Sequence, residues 1–427
     1  MNYECHCSEC SDNSDNSNIQ AQIYNTMKHT ILLSVALVLV GCATAPDMSK
    51  TEDYCHKQIV RTLADIEGKE GLPRNILAGE HSWNMRPNVP EEWCNGFWSG
   101  VLWYDYLMGH KDMEAPARRY TAPLESLAHT PVFDHDLGFL VITSLLNGYR
   151  ATGDPIYRAE LLMSADSLAT LFNPAVGTIL SWPRHVKDYG GHNTIMDNML
   201  NLELLFWAAH ETGNEALADI AVSHADTTMA YQFRPDATCY HVAVYDPATG
   251  RHLYNCTHQG LADESVWARG QAWAIYGYTM VYRYTRQPRF LEMAQKAADV
   301  YLSRLPEDMI PYWDFCDPRI ATTPEDAFGA STTICPRDAS AGAVVASALL
   351  ELRNYVDMSK RNSYQQAAEQ MVHSLSTRYA AGEQCPALLL HSTGHHPAGS
   401  EIDAAIIYAD YYFMEALYRL KTNKIIL

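Results

Sequence analysis

Hydrophobic and polar positions along the chain alternate between two kinds of predicted helix. One kind is amphipathic, with its apolar residues on a single face, and the other is apolar on most sides. The amphipathic helices are predicted at 54–66, 115–127, 156–171, 216–230, 290–305 and 364–379. The apolar helices are predicted at 97–107, 136–149, 196–212, 265–284, 339–355 and 408–420. A helix that is apolar on most sides must be buried, so each pair has an outer and an inner member.

Six such pairs predict an all-α fold, an (α/α)6 toroid or barrel of six helical hairpins. Strand signals are few and short, at 239–245 and 388–391. An open solenoid would repeat at a fixed interval of about 34–47 residues, whereas these pairs are spaced more widely and irregularly, which favours a closed ring. Because the helices alternate up and down, the amino ends of all inner helices meet at one mouth. That mouth is expected to receive Trp98, His135, Asp136, Asp197, Trp267, Arg269 and Asp338.

Two of the predicted inner helices begin with an aspartate. Thr194 is expected to cap the third inner helix, with Asp197 three positions later, the spacing of a capping box. Asp136 opens the second inner helix in the same way, directly after His135. One interpretation is helix capping, since a helix amino terminus favours negative charge. The other is a two-carboxylate acid–base site at the mouth, where the helix dipoles and Arg269 also favour an anion.

Composition and charge narrow the range of partners and cofactors. The chain has 427 residues, 47% hydrophobic and 11% aromatic, and 31 basic against 50 acidic residues give a net charge of -19. This balance argues against nucleic acid, which requires clustered Lys and Arg. No nucleotide, serine-hydrolase or zinc-protease motif is found. We expect that no metal or organic cofactor is needed. The alternative is a metal site formed by His391, His395 and His396 with Glu401 and Asp403.

The amino-terminal region has the pattern of a secretory signal. A charged segment at 27–29 precedes the apolar run 31–40, which is too short to span a membrane. The sequence Leu39-Val40-Gly41-Cys42 resembles the bacterial lipoprotein signal, which predicts lipidation of Cys42 and an extracytoplasmic protein anchored to a membrane. The predicted segments are residues 1–41 as upstream sequence and signal, 42–52 as tether, 53–420 as catalytic domain and 421–427 as tail. Seven later cysteines without close spacing do not predict a disulfide framework.

Several motifs together resemble the unsaturated glucuronyl hydrolases, glycoside hydrolase family 88. They follow one another in the family's order between about residues 55 and 420. The strongest are His135-Asp136-Leu137-Gly138-Phe139, Asp197-Asn198-Met199-Leu200-Asn201, Thr257-His258-Gln259-Gly260 and Trp267-Ala268-Arg269-Gly270-Gln271-Ala272-Trp273. The family fold is the (α/α)6 barrel, the fold that the helix pattern also predicts.

The resemblance implies removal of a 4,5-unsaturated uronic acid from the non-reducing end of lyase-generated, glycosaminoglycan-type oligosaccharides. A carboxylic acid protonates C4, water adds at C5, and the resulting hemiketal opens and releases the remaining sugar. In this scheme Asp197 is the acid–base residue and Asp136 the second essential aspartate. The implied substrate-binding residues are Trp98, His135, His241, Gln259, Arg269 and Trp273. Some relatives bind a sulfate group of the substrate with the pattern Ser-x-x-Ser-x-Lys. Residues 394–403 have a different sequence here, so the resemblance does not imply a preference for sulfated fragments.

The sequence leaves the charge of Asp197 and the exact activity open. A helix amino terminus lowers the pKa of a carboxyl group, whereas burial and the nearby Asp136 would raise it, as a general acid requires. Alternative activities are the related unsaturated rhamnogalacturonyl hydrolases, which act on pectin fragments, and a sugar epimerase on the same toroid. The alternative outside catalysis is a surface lipoprotein that only binds glycans.

Overall fold

The computed structural model describes residues 48–425, and the predicted signal and Cys42 lie outside the described residues. The outer helices are α1 (Met48–Asp65), α3 (Glu114–Glu125), α6 (Pro155–Ala169), α9 (Glu215–Tyr231), α11 (Pro288–Leu302) and α13 (Met358–Thr377). The inner helices are α2 (Asn95–Met108), α4 (Leu137–Val141) continued through a π-helical turn (Ile142–Leu146) into α5 (Asn147–Thr152), α8 (Asn198–Thr212), α10 (Ala268–Thr285), α12 (Ala339–Leu352) and α14 (Ile407–Thr422). A short helix, α7 (Val186–Tyr189), lies in a loop.

Outer and inner helices differ in how many faces they bury, as the sequence pattern predicts. In α11 the buried residues include Phe290, Ala294 and Ala297, three or four positions apart, so a single stripe faces the core. In α12 every residue is buried. Each inner helix packs against the next one along the chain, and α14 returns to pack against α2. The ring is therefore closed, and the predicted (α/α)6 architecture is confirmed.

Three small antiparallel sheets lie in the loops between the helices. The strands are β1 (Leu72–Ile76), β2 (Asn84–Arg86), β3 (Phe172–Asn173), β4 (Thr178–Ile179), β5 (His192–Ile195), β6 (Val242–Tyr245), β7 (His252–Cys256) and β8 (Ala405–Ile406). Their orders are β2-β1-β8, β3-β4 and β5-β6-β7. Because β5 runs directly into the start of α8 and β8 into α14, two of the sheets fix the loops at the amino ends of inner helices.

Three local predictions are wrong in detail. Thr194 does not cap a helix, because it pairs with Ala243 in the β5–β6 ladder and α8 begins only at Asn198. Residues 388–391 do not form a strand: the N–H groups of Leu388 and Leu389 donate to the carboxylate of Asp410 at 2.9 and 3.0 Å instead of to a neighbouring strand.

The third concerns the predicted tether. Helix α1 begins at Met48, inside the segment 42–52, and Glu52 accepts a hydrogen bond from Lys421 at 2.6 Å. The first helix is thereby tied to the last one.

Charged side chains are buried between the inner helices toward their carboxyl ends. This carboxyl-end network consists of Arg150, Glu203, Arg283, Glu351, Glu415 and Arg419. Glu203 accepts from Arg150 at 2.8 Å and from Arg283 at 2.9 Å, and Arg283 also donates to Glu351 at 2.8 Å. Three arginines face three glutamates, so the charges balance inside the barrel.

Membrane-spanning helices and disulfides are absent from the part of the chain that the structure describes. No helix between residues 48 and 425 is long and apolar enough to cross a bilayer. The seven cysteines in that range are all free thiols, which confirms for these residues that no disulfide framework is present. Stability therefore rests on the packing of the helices and on the network of buried ion pairs.

Candidate active site

A cleft of about 330 Å³ opens where the amino ends of the inner helices meet. Its aromatic walls are Trp93, Trp182 and Tyr408, and Asp136 and Asp197 lie in the same cleft. Aromatic faces and carboxyl groups in one cleft are suited to binding a sugar ring and transferring protons to it. The expectation that the two aspartates would meet at the mouth is thus met by the geometry.

Neither aspartate caps the helix that it precedes. Asp136 occupies the N-cap position of α4 and Asp197 that of α8, yet neither side chain accepts a hydrogen bond from the helix backbone. Asp338 before α12 is different, because its carboxylate accepts from the N–H groups of Ser340 and Ala341. Helix capping therefore accounts for Asp338 but not for Asp136 or Asp197.

Asp197 is aligned with His241 by the β5–β6 sheet. The N–H of Met196 donates to the carbonyl of His241 at 3.0 Å, so the two segments lie side by side. Nδ1 of His241 accepts from the backbone N–H groups of His258 and Gln259, both at 3.2 Å. The proton of the neutral imidazole must then sit on Nε2, which lies 3.4 Å from Oδ2 of Asp197.

The positive surroundings of Asp197 decide the direction of its pKa shift. Burial alone would raise the pKa, but the contact with His241, the charge of Arg269 and, in the acidic range where Asp197 titrates, the charge of His135 outweigh it and lower the pKa below its ordinary value. The raised pKa that the general-acid prediction requires is therefore not present in the protein without substrate. Oδ2 of Asp197 is buried and has no hydrogen-bond partner among the described residues.

Asp136 has the opposite electrostatic environment. Burial raises its pKa well above the ordinary value, and the negative charges of Asp134 and Asp197 raise it further. The neighbouring His135 is fully buried, and burial lowers its pKa to about 4, so it is neutral near pH 7. Nε2 of His135 lies 3.6 Å from Oδ1 of Asp136. The four residues Asp136, His135, Asp197 and His241, here called the mouth cluster, thus hold one readily protonated and one readily ionised carboxyl group.

Arg269 lies behind the cleft and is already bound to protein groups. It donates to the carboxylate of Asp338 at 2.7 Å and to the carbonyl oxygens of Thr393 and Gly394. Gln259 lines the cleft and donates to the same Gly394 carbonyl at 3.2 Å. Both residues therefore fix the loop that forms one wall of the cleft, and Arg269 supplies positive charge toward Asp197.

Two of the predicted tryptophans do not line the cleft. Trp98 is 1% exposed and packs against Tyr120 of α3, and Trp273 is fully buried behind the cleft among Phe139 and Tyr412. The tryptophan at the cleft is Trp93, five positions before Trp98. Both tryptophans lie near the start of α2, and only the packing distinguishes the one that turns outward.

Sequence reasoning also missed two arginines of the cleft. Arg74 in β1 forms a bidentate pair with Glu401, at 2.7 and 2.9 Å, and Arg184 pairs with Asp134. Both arginines come from loop segments with no helical period. The family motifs quoted above do not include them, so the only signal was a lone basic residue in a loop.

The alternative metal site on the carboxyl-terminal loop does not form. His391 pairs with Asp403 at 2.7 Å and stacks on Phe328, while His396 stacks on Trp313. His395 turns instead toward His258, with ring centroids 4.7 Å apart. Within residues 48–425, these side chains do not make a group with the spacing of metal ligands.

Comparisons with known proteins give the family. The model of Glycosyl Hydrolase Family 88 matches residues 69–421. The chain is 37% identical over 412 residues to an unsaturated glucuronyl hydrolase of Formosa agariphila, covering 93% of this chain and 98% of the relative. It is 34% identical to an unsaturated chondroitin disaccharide hydrolase of Streptococcus pyogenes, covering 77% and 81%. A crystal structure of an unsaturated glucuronyl hydrolase specific for heparin matches with a TM-score of 0.77 and 38% identity, covering 88% and 98%. The chain therefore belongs to glycosyl hydrolase family 88.

Proposed function

We propose that this protein removes the 4,5-unsaturated uronic acid from the non-reducing end of glycosaminoglycan fragments by hydrating its vinyl ether. The observation that carries the proposal is the mouth cluster, in which two uncapped aspartates with opposite pKa shifts share one cleft. Relatives in the same family act on unsaturated chondroitin disaccharides or are specific for heparin. A protein that only bound glycans would gain nothing from two carboxyl groups of opposite pKa shift in one cleft.

In the proposed reaction a proton adds to C4 and the oxygen of a water molecule bonds to C5, while the second proton of that water returns to a carboxylate. The C5–O5 bond of the hemiketal then breaks to give a ketone at C5, and the hemiacetal left at C1 expels the remaining sugar. Asp197 is the residue assigned to proton transfer. His241 orients its carboxylate, because the Nδ1 of that imidazole is held by two backbone N–H groups.

The proton that starts the reaction is proposed to reach Asp197 only once substrate is bound. In the protein alone Asp136 holds a proton more readily than Asp197, because the pKa of Asp136 is raised and that of Asp197 is lowered. A uronate carboxylate in the cleft offsets the effect of the His241 contact and of the positive charge of Arg269, which lower the pKa of Asp197. Substrate binding also displaces water from the cleft. Both changes raise the pKa of Asp197 and favour transfer of the shared proton to it.

The charges of the cleft support a substrate whose main charge is the uronate. Among the described residues that line the cleft, the two arginines are both paired, Arg74 with Glu401 and Arg184 with Asp134. Neither offers an unpaired cation for a sulfate group. We therefore propose that unsulfated disaccharides are accepted at least as well as sulfated ones.

A panel of lyase-made disaccharides tests the activity and the substrate class together. The expected result is loss of the C4–C5 double-bond absorbance with unsaturated chondroitin, hyaluronan or heparin disaccharides, with the unsulfated members turned over at least as fast. Turnover restricted to unsaturated rhamnogalacturonan fragments would replace the proposed substrate with pectin. Binding to the panel without any loss of absorbance would leave a glycan-binding protein.

We also propose that Cys42 is lipidated and anchors the protein to a bacterial membrane outside the cytoplasm. The support is the sequence Leu39-Val40-Gly41-Cys42, which lies outside the described residues. Cells expressing the Cys42→Ala variant should lose the lipid-modified form and release the protein from the membrane fraction. Membrane association that is unchanged in this variant, without lipid on Cys42 of the unmodified protein, would contradict the proposal.

A further inference from the structure

Two histidines and an aspartate meet far from the cleft, where α1 packs against the end of α2. Nδ1 of His56 lies 2.7 Å from Oδ2 of Asp105, and Nδ1 of His110 lies 2.7 Å from its Oδ1. Asp105 is in the last turn of α2, ten residues after its first residue Asn95. At 1.5 Å per residue this places the carboxylate about 15 Å from the mouth along the helix axis.

The two imidazoles are stacked on each other and present the same nitrogen to one carboxylate. Their ring centroids are 3.8 Å apart and their planes 17° apart. Asp105 is fully buried, whereas the side chains of His56 and His110 are 24% and 30% exposed. The three groups are thus reachable from solvent on the histidine side and anchored in the core on the aspartate side.

We infer that His56, Asp105 and His110 form a binding site for a divalent transition-metal ion such as Zn²⁺. The three donor atoms lie within 4.8 Å of one another. Two ligands on one tetrahedral zinc ion are about 3.3 Å apart, so only a small tilt of the half-exposed rings is needed. Imidazole nitrogen and carboxylate oxygen are the donors that zinc, cobalt and nickel accept. Water completes the coordination.

The backbone holds two of the three ligands in place before any ion binds. The N–H of His110 donates to the carbonyl oxygen of Asp105 at 3.2 Å. The intervening Gly109 has φ +130°, a conformation that side-chain-bearing residues rarely adopt, and it closes the end of α2. His110 therefore returns to the aspartate five residues before it, and His56 arrives from α1.

An ion at this site would join the first outer helix to the first inner helix. In the metal-bound form Nδ1 of both histidines carries the ion, and their protons lie on Nε2. Because the site is remote from the mouth cluster, the ion is expected to contribute to the stability of the barrel and to take no part in the hydration reaction. Its existence does not depend on the proposed substrate.

Zinc titration of the full chain tests the site. After treatment with EDTA, one equivalent of zinc should bind, and an excess of about 100 times the Kd should raise Tm by about 3 °C or more. His56→Gln and His110→Gln should each abolish that rise. His373→Gln, which changes an exposed histidine of α13, should keep it. Equal zinc responses in all four proteins would overturn the proposal.

Anomalous scattering from zinc-soaked crystals of the unmodified protein gives a test that needs no variant. The expected peak lies between His56, Asp105 and His110. A zinc peak only at other histidines, such as His258 and His395 in the cleft, would overturn the proposal even if the glutamine variants fold poorly. His110→Gln keeps an N–H donor for Asp105, so the metal-free Tm should stay close to that of the unmodified protein.

Discussion

Both ends of the barrel bury charged side chains, but the glutamates of the carboxyl-end network are paired with arginines, whereas neither carboxyl group of the mouth cluster forms an ion pair with an arginine of the described chain. In the carboxyl-end network three arginines and three glutamates bind one another, and only Nε of Arg150 is buried without a partner. In the mouth cluster Oδ2 of Asp197 and Nε2 of both His135 and His241 are buried without hydrogen bonds within the described chain. Since an unpaired buried polar group costs free energy, a site that retains several of them is suited to a ligand that will pair them.

The carboxyl groups of Glu203 and Asp136, at the two ends, differ in pKa because only Glu203 is paired with arginines. Burial would raise the pKa of Glu203, but Arg283 and Arg150 outweigh it and lower the pKa to about 2. Asp136 lacks an arginine partner at hydrogen-bond distance, and burial raises its pKa well above the ordinary value. The two arginines thus favour the ionised form of Glu203, whereas burial without such a partner favours the protonated form of Asp136.

The largest effect is expected from Asp197→Asn at the mouth. The amide keeps the shape of the side chain but cannot carry the transferable proton, so kcat should fall by about 10²–10⁴. Tm should stay the same or fall slightly, because the surroundings that lower the pKa of Asp197 stabilise its ionised form and not the amide. The measurements are turnover of an unsaturated disaccharide and thermal unfolding. Near-normal turnover would show that this helix start is not the catalytic centre.

The matched change in the carboxyl-end network is Glu203→Gln, and it should affect folding instead. Removing this carboxylate leaves Arg150 without its acidic partner and Arg283 with Glu351 alone. The uncompensated buried charge costs about 3–5 kcal/mol of unfolding free energy. Chemical denaturation measures this loss, and the activity of the remaining folded protein should keep its KM. A neutral effect on stability would mean that the network, although paired, does not hold the barrel together.

A smaller effect is expected on substrate binding from Trp93→Ala. The indole lines the cleft, so its loss should raise KM by about tenfold, the effect of removing an aromatic stacking surface. Trp98→Phe is the control, because its indole N–H makes no hydrogen bond within residues 48–425 and its ring packs on Tyr120 away from the cleft. An unchanged KM for Trp93→Ala together with a raised KM for Trp98→Phe would reverse the assignment of the two tryptophans.

The smallest effect is a pH-dependent gain in stability from Asp136→Asn. The folded pKa of Asp136 is raised above its ordinary value of 3.8, so its contribution to stability is complete below about pH 3.8 and is lost as pH rises through the folded pKa. An asparagine does not ionise, so the variant does not lose stability as the pH rises. It should be more stable than the unmodified protein by about 1–2 kcal/mol at pH 8, with no gain at pH 4. Thermal unfolding across this range measures it.

Glu203 provides the opposite pH dependence. Its folded pKa is lowered to about 2 from 4.5, so its contribution to stability is present above pH 4.5 and is lost as pH falls toward 2.

The outcome that would contradict the prediction for Asp136 is an equal gain in stability from Asp136→Asn at pH 4 and pH 8. The raised pKa of Asp136 would then be wrong.

The fold and the position of two aspartates at one mouth were predictable because both follow from short-range pattern. The helical period and the number of apolar faces distinguish outer from inner helices. The position of Asp136 and Asp197 at helix starts then places both of them at one mouth. The sheets were not predictable in the same way, since β5 and β6 are four residues each and pair only in the folded chain. The direction of the pKa shift of Asp197 depends on His241, which is held by backbone groups 17 and 18 residues further along.

The π-helical turn at Ile142–Leu146 has a consequence for how this chain can change in evolution. It lies between Asp136, which faces the cleft, and Arg150, which binds Glu203 in the opposite half of the barrel. Each residue of a regular helix adds about 100° of rotation. Deleting one residue here would restore a regular helix but would turn one of the two side chains away from its partners. Insertions and deletions in this segment should therefore be tolerated only when catalysis and folding are changed together.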